Sequence, residues 1–176
     1  AQPVEFSYEA RVVEVSCSYE SSVALLSNGS VIAFGLTDTE SAKALALAGV
    51  KSVFNTYYNH FAALLTDGQL KCFGYSSSLC GDGFNEVKLV EASFYAMAAL
   101  HYDGTVSTWG YADYGGNFTR GSQVNATVLH GTPHNFCILE GLGNVTCWGN
   151  PKYGNVIPDY VPRTGLVSLF SSQYSQ

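Results

Sequence analysis

At 176 residues the chain is long enough for one domain with a substantial core. Only 12% of residues are charged against 14% aromatic, and the net charge of −6 includes just eight Lys and Arg. This excludes helices laced with charged pairs, a nucleic-acid backbone as partner and an anionic membrane surface.

The chain opens at Ala1 without an apolar signal core, compatible with a processed secreted chain or with a fragment. No stretch approaches the roughly 20 apolar residues of a membrane span, and none is expected. A strand-like piece at 4–8 precedes a strand from Val12 to Cys17. Then comes VALLSNGSVIAFG from Val23: an apolar run, a turn at Asn28-Gly29, and a second run closing on Phe34-Gly35. Residues 41–47 read as a short helix or as a loop.

The same order returns three times. A strand at 50–54 leads to AALLTDGQLKCFG from Ala62, one at 87–92 to AALHYDGTVSTWG from Ala98, and the fourth phrase is CILEGLGNVTCWG from Cys137. The closing glycines Gly35, Gly74, Gly110 and Gly149 are spaced 39, 36 and 39 residues apart, the signature of a repeat architecture. Gly165 to Gln176 looks like the opening strand of another repeat without its hairpin. The expectation is an all-β chain, a single repeat domain over 1–176 with repeats near 10–36, 50–75, 87–116 and 125–154 and a partial fifth at 165–176. Ala24, Ala62, Ala63, Ala98 and Ala99 would let sheets pack closely. Phe34, Phe73, Trp109 and Trp148 share one repeat position, which points to core packing.

A two-residue Asp67-Gly68 turn would set Ala63 opposite Cys72. The fourth hairpin reads as one residue longer, with Gly141-Leu142-Gly143 as its loop. Cys137 then faces Cys147 at a non-hydrogen-bonded site, where a cross-strand disulfide is reachable. For the other cysteines two pairings stay open: Cys72 with Cys80, leaving Cys17, or Cys17 with Cys72, leaving Cys80. Asn28, Asn117, Asn125 and Asn144 satisfy the N-glycosylation pattern, Asn28 and Asn144 at hairpin tips and the others in the loop after Gly110, and they favour a secreted, extracellular protein.

No catalytic residue is assigned. His130 and His134 flank Pro133, which forbids the helical spacing that would present both rings to a metal. No serine sits in a Gly-x-Ser-x-Gly elbow, Asp67 and Asp103 are turn residues, and Glu86, Glu91 and Asp113 are scattered. No metal or cofactor is expected. Tyr57, Tyr58, Tyr111, Tyr114 and Tyr153 lie in less constrained segments and are the better candidates for contact surfaces.

Ala62-Ala-Leu-Leu through Gly74, TWGYADYGG from Thr108 and CWGNPKYG from Cys147 carry a family resemblance over nearly the whole chain. The pattern resembles the regulator-of-chromosome-condensation repeat and is similar to the secreted bacterial β-lactamase-inhibitor propellers. The resemblance implies β-propeller blades of four antiparallel strands, usually seven to a ring. It does not carry nucleotide exchange over to an acidic chain expected to be secreted. The expected function is a non-enzymatic extracellular glycoprotein, a structural or adhesive module that self-associates head-to-tail, with Leu166, Val167, Leu169 and Phe170 as the assembly edge. The alternative is a propeller that holds a protein or glycan ligand on one loop face.

Overall fold

A computed structural model describes residues 10–75, 84–118, 125–153 and 165–168. Among these residues twelve strands form four three-stranded antiparallel sheets, each in chain order. The first holds β1 (Val12–Cys17), β2 (Ser22–Leu26) and β3 (Val31–Phe34). The second holds β4 (Val50–Asn55), β5 (His60–Leu65) and β6 (Leu70–Gly74). The third holds β7 (Val87–Ala92), β8 (Ala96–His101) and β9 (Val106–Gly110), and the fourth β10 (Ala126–Gly131), β11 (Asn135–Glu140) and β12 (Val145–Gly149). The described residues thus supply three strands per blade where the resemblance implies four.

Middle strands read as unbroken apolar runs because they lie at the cores between neighbouring sheets, the two central sheets being packed on both faces. In β5, Phe61 and Ala63 join Val23, Leu25 and Val31 in the core between the first two sheets. Ala62 and Leu64, on the opposite face, join Val90, Met97, Ala99 and Trp109 between the second and third. Ala96, Ala98 and Leu100 then meet Leu129, Phe136 and Ile138 between the third and fourth. The five alanines named from sequence are all buried. Of the four residues at the closing aromatic position, Phe73 and Trp109 are buried and Trp148 half-buried, but Phe34 is 58% exposed. Core packing therefore does not extend to Phe34.

The blades are joined by a repeated backbone lock. Val50, Val87, Ala126 and Leu166 each donate an N–H to the carbonyl of the preceding hairpin glycine, Gly29, Gly68, Gly104 and Gly143. The residue just before each of these donors is left-handed: Gly49, Glu86, Asn125 and Gly165, with φ between 47° and 77°. Leu166 thus takes the position that opens the second, third and fourth repeats, although 165–168 is not a strand; 169–176 and 4–8 lie outside the described residues.

All four hairpins share one geometry, which corrects the expected turn. Leu65 N–H donates to Gln69 O and Gly68 N–H to Leu65 O, so the loop is Thr66-Asp67-Gly68, three residues long like Gly141-Leu142-Gly143. Asp67 Oδ1 accepts from Gln69 N–H, and Asn28 and Asp103 do the same two residues ahead. This Asx turn favours a type I turn closed by a left-handed glycine over a two-residue turn. The register shifts by one: Ala62, not Ala63, faces Cys72. Cys137 and Cys147 lie opposite each other, disulfide-bonded, with Cα atoms 4.1 Å apart.

Cys72 is disulfide-bonded and Cys17 is a free, exposed thiol, which removes the Cys17–Cys72 pairing. Cys80 lies outside the described residues. The segment whose sequence fits either a short helix or a loop contains α1 (Asp38–Leu45), which starts three residues before the expected 41–47. Thr37 caps it by accepting from Glu40 N–H at 3.4 Å, and Glu40 in turn accepts Gly74 N–H at 2.6 Å, tying the helix to the end of β6.

Candidate functional site, an aromatic loop face

The turns joining the first and second strands of each sheet carry Tyr19 and Glu20, then Tyr57, Tyr58 and Asn59, then Phe94 and Tyr95, then Pro133 and His134. Glu20, Asn59, Tyr95 and His134 stand fifteen residues before the closing glycines Gly35, Gly74, Gly110 and Gly149. The fixed spacing has a steric cause. Each closing glycine has positive φ, and a Cβ there would lie 2.2–2.5 Å from the carbonyl oxygen of its partner turn residue. Only glycine allows this approach. The next residue then locks the turn: Tyr75 N–H donates to Asn59 O at 2.9 Å, Tyr111 N–H to Tyr95 O at 3.1 Å, and Asn150 N–H to His134 O at 3.1 Å.

The consequence is a continuous aromatic surface across four repeats. One row runs Tyr19, Tyr57, Phe94, His134 and Tyr153, with successive ring centroids 5.3, 5.3, 5.1 and 3.9 Å apart. Beside it Tyr58 stacks on Tyr95 at 3.9 Å, and Tyr95 contacts Tyr114 and Tyr111 at 4.5 and 5.5 Å. Backbone bonds fix the turns across blades, Tyr19 N–H to Tyr57 O and Phe94 N–H to Pro133 O. Asn59, buried and left-handed, accepts on Oδ1 from Ser18 Oγ, from Ser21 Oγ at 2.8 Å and from Glu20 N–H at 3.1 Å. At the last turn and the start of β11, His134 Nδ1 and Asn135 Oδ1 are buried with no hydrogen-bond partner among the described residues.

Between the two middle blades lies a cavity of about 240 Å³ lined by Glu20, Tyr58, Asn59, His60, Tyr75, Tyr95 and Tyr111. Burial lowers the His60 pKa, favouring the neutral ring. The phenol of Tyr95, set against the Tyr58 phenol, has its pKa pushed up to about 12 by that neighbour. A second cavity, of about 260 Å³, opens by the hairpin loops and is lined by Lys51, Asp67, Glu86 and Tyr102 among others. It has no aromatic cluster.

The structure brings together all five tyrosines singled out as contact candidates. It adds Tyr19, Tyr75, Phe94, Tyr95 and His134, which aligning the repeats on their closing glycines would have found. The other candidates are dispersed. Asn28 is exposed at a loop centre and Asn117 is exposed after Gly116, whereas Asn144 sits at the foot of its hairpin rather than the tip. Asn28 and Asn125 also have backbone roles, the Asx turn and the left-handed pre-strand position. Val167 is exposed, Leu166 half-buried, and Leu169 and Phe170 fall outside the described residues. Glu91, whose pKa burial raises, stands near His130. No cluster of three metal-ligating side chains occurs among the described residues.

No protein-family model matches the chain. Over 83 residues, 40% of the chain, it is 36% identical to the E3 ubiquitin-protein ligase MYCBP2 of Danio rerio, a match to 2% of that protein. Solved structures that share its fold include three propellers. Yeast RCC1 (Prp20), bound to Kap60, aligns at a TM-score of 0.60 and 18% identity over 88% of this chain and 46% of that one. The CRINKLY WD40 ectodomain of the Arabidopsis thaliana receptor kinase ACR4 gives 0.57 and 16%, over 93% and 56%. The ectodomain of the Physcomitrella patens receptor kinase CR4 gives 0.54 and 20%, over 80% and 39%. The chain has a β-propeller repeat fold and spans about half the length of these structures or less.

Proposed function

We propose that the chain is a non-enzymatic, secreted glycoprotein module that holds a protein or glycan ligand on its aromatic loop face. The observation that carries this is the convergence of Tyr19, Tyr57, Tyr58, Tyr95, Tyr111 and Tyr153, drawn from four repeats, on one surface prepared by turn-to-turn hydrogen bonds. Exposed tyrosines supply contact area at small entropic cost, and locked turns reduce the ordering that binding would otherwise require. The yeast neighbour was captured bound to Kap60, so one protein that contains this fold has a protein partner. Glycan and peptide arrays test the reading. Signals lost on combining Tyr57→Ala with Tyr111→Ala, and kept by Tyr102→Ala on the hairpin-loop side, support it; signals equal in all three proteins overturn it.

Self-association is the second reading, favoured by the first blade. Val12, Val13 and Val15 on β1 are 56–60% exposed, an apolar strand that proteins normally cover. Leu166 on Gly143 starts the backbone lock anew at the other end. A neighbouring copy would satisfy both, forming a ring or a filament. Sedimentation at high concentration decides: polymers abolished by deleting 1–9 or 165–176 support assembly, and a monomeric full chain refutes it.

A further inference from the structure

We infer that the cavity between Tyr58, Tyr75, Tyr95 and Tyr111 is a subsite for a neutral oligosaccharide. This rests on the loop-face reading above and narrows it to one ligand chemistry. Tyr75 and Tyr111 leave their strands at matched positions, directly after Gly74 and Gly110, and are each more than half exposed. Tyr58 and Tyr95, stacked on one another, form another part of the lining. An aromatic face carries negative quadrupole charge and suits the polarised C–H face of a pyranose.

The polar lining decides between ligand classes. Glu20, Asn59 and His60 share the cavity with the four phenols. Glu20 accepts on Oε2 from Asn59 Nδ2 at 3.4 Å, and the Asn59 Oδ1 is already occupied by three donors, so the amide is held in one orientation. The group offers a carboxylate acceptor, an amide donor, an imidazole with one donor and one acceptor, and phenols that do either. Sugar hydroxyls need such mixed partners. An anionic ligand finds no Lys or Arg among the described lining residues and meets the Glu20 carboxylate. A proline-rich strand, lacking backbone donors at each proline, leaves the acceptors of that lining unmatched. About 240 Å³ suits a sugar unit or two, with the chain continuing over the open tyrosine rows.

Saturation-transfer NMR on the full chain tests this. The probes are neutral tetrasaccharides of β-1,4-glucose, β-1,4-N-acetylglucosamine and α-1,2-mannose, a sialylated trisaccharide and a proline decapeptide. Saturation of ring C–H protons is expected for at least one neutral tetrasaccharide and not for the sialylated one. Tyr58→Ala and Tyr111→Ala should each weaken that binding about tenfold, while Tyr58→Phe, which keeps the ring, should largely retain it. Absence of any neutral-sugar signal, or affinity unchanged by Tyr58→Ala and Tyr111→Ala, overturns the inference. Decapeptide binding lost in Tyr58→Ala, with no sugar bound, also overturns it but leaves the loop face standing as a protein-binding site. If the array signals also ignore the tyrosine substitutions, the loop-face reading falls as well.

Discussion

Gly74→Ala and Gly68→Ala sit in one hairpin, both at strongly positive φ, 90° and 82°. They should nevertheless differ in cost. A non-glycine residue in the left-handed region costs about 1–2 kcal/mol, offset by about 0.4–1 kcal/mol because alanine restricts the unfolded chain. At Gly68 that is the whole account, since the nearest atom to an added Cβ is 3.5 Å away, an ordinary contact. At Gly74 the Cβ would lie 2.2 Å from Asn59 O and 3.1 Å from Phe61 Cδ2. The carbonyl belongs to the backbone of a locked turn and cannot swing aside, so overpacking adds about 1–3 kcal/mol. The expected losses are about 1 kcal/mol for Gly68→Ala and about 2–4 kcal/mol for Gly74→Ala. Urea unfolding with unchanged slope measures both. Equal midpoints would refute the claim that the closing glycine exists for close approach rather than for its dihedral alone.

Glu86 is left-handed at φ 55° where two other repeats place glycine, so Glu86→Gly should raise stability by about 0.5–1 kcal/mol in the same assay. A stability loss would show that its side chain contributes more than its backbone costs. Burial lowers the His60 pKa below 6.5, so the folded protein binds fewer protons there than the unfolded chain. Stability is present above pH 6.5 and falls as the pH drops below it; thermal melts of His60→Gln should be flatter across that range, and an unchanged slope would assign the effect elsewhere. Glycopeptide mass spectrometry of material from the native source should find glycan on at least two of Asn28, Asn117, Asn125 and Asn144, with Asn28 foremost; four bare sites would count against secretion.

The repeat was legible because the phrase ending in aromatic-glycine returns at a near-constant period and its apolar runs are too continuous for half-exposed strands. At Asp67-Gly68 the dipeptide alone suggests a two-residue turn, and only the Asp67 bond to Gln69 N–H selects three. One residue of slip exchanges the faces of a strand, which is why Ala63 and Ala62 traded places opposite Cys72. The helix start was written in Thr37 and Glu40, three apart, but an eight-residue helix among strands gives little periodicity. The loop face was half legible. Tyr57, Tyr58 and Tyr111 stood out by lying outside the strands, whereas nothing local marks Tyr95 as the neighbour of Tyr58; that contact depends on adjacent blades packing side by side.

Titration of tyrosine-ring-labelled protein with the ligand strongest on the arrays, followed by NMR, tests most directly whether the aromatic loop face is the binding surface. Tyr102, 66% exposed at the hairpin-loop end, is an internal control. The account predicts shifts at Tyr57, Tyr58, Tyr95 and Tyr111 with Tyr102 unmoved. Shifts at Tyr102 with the loop-face tyrosines silent would contradict it.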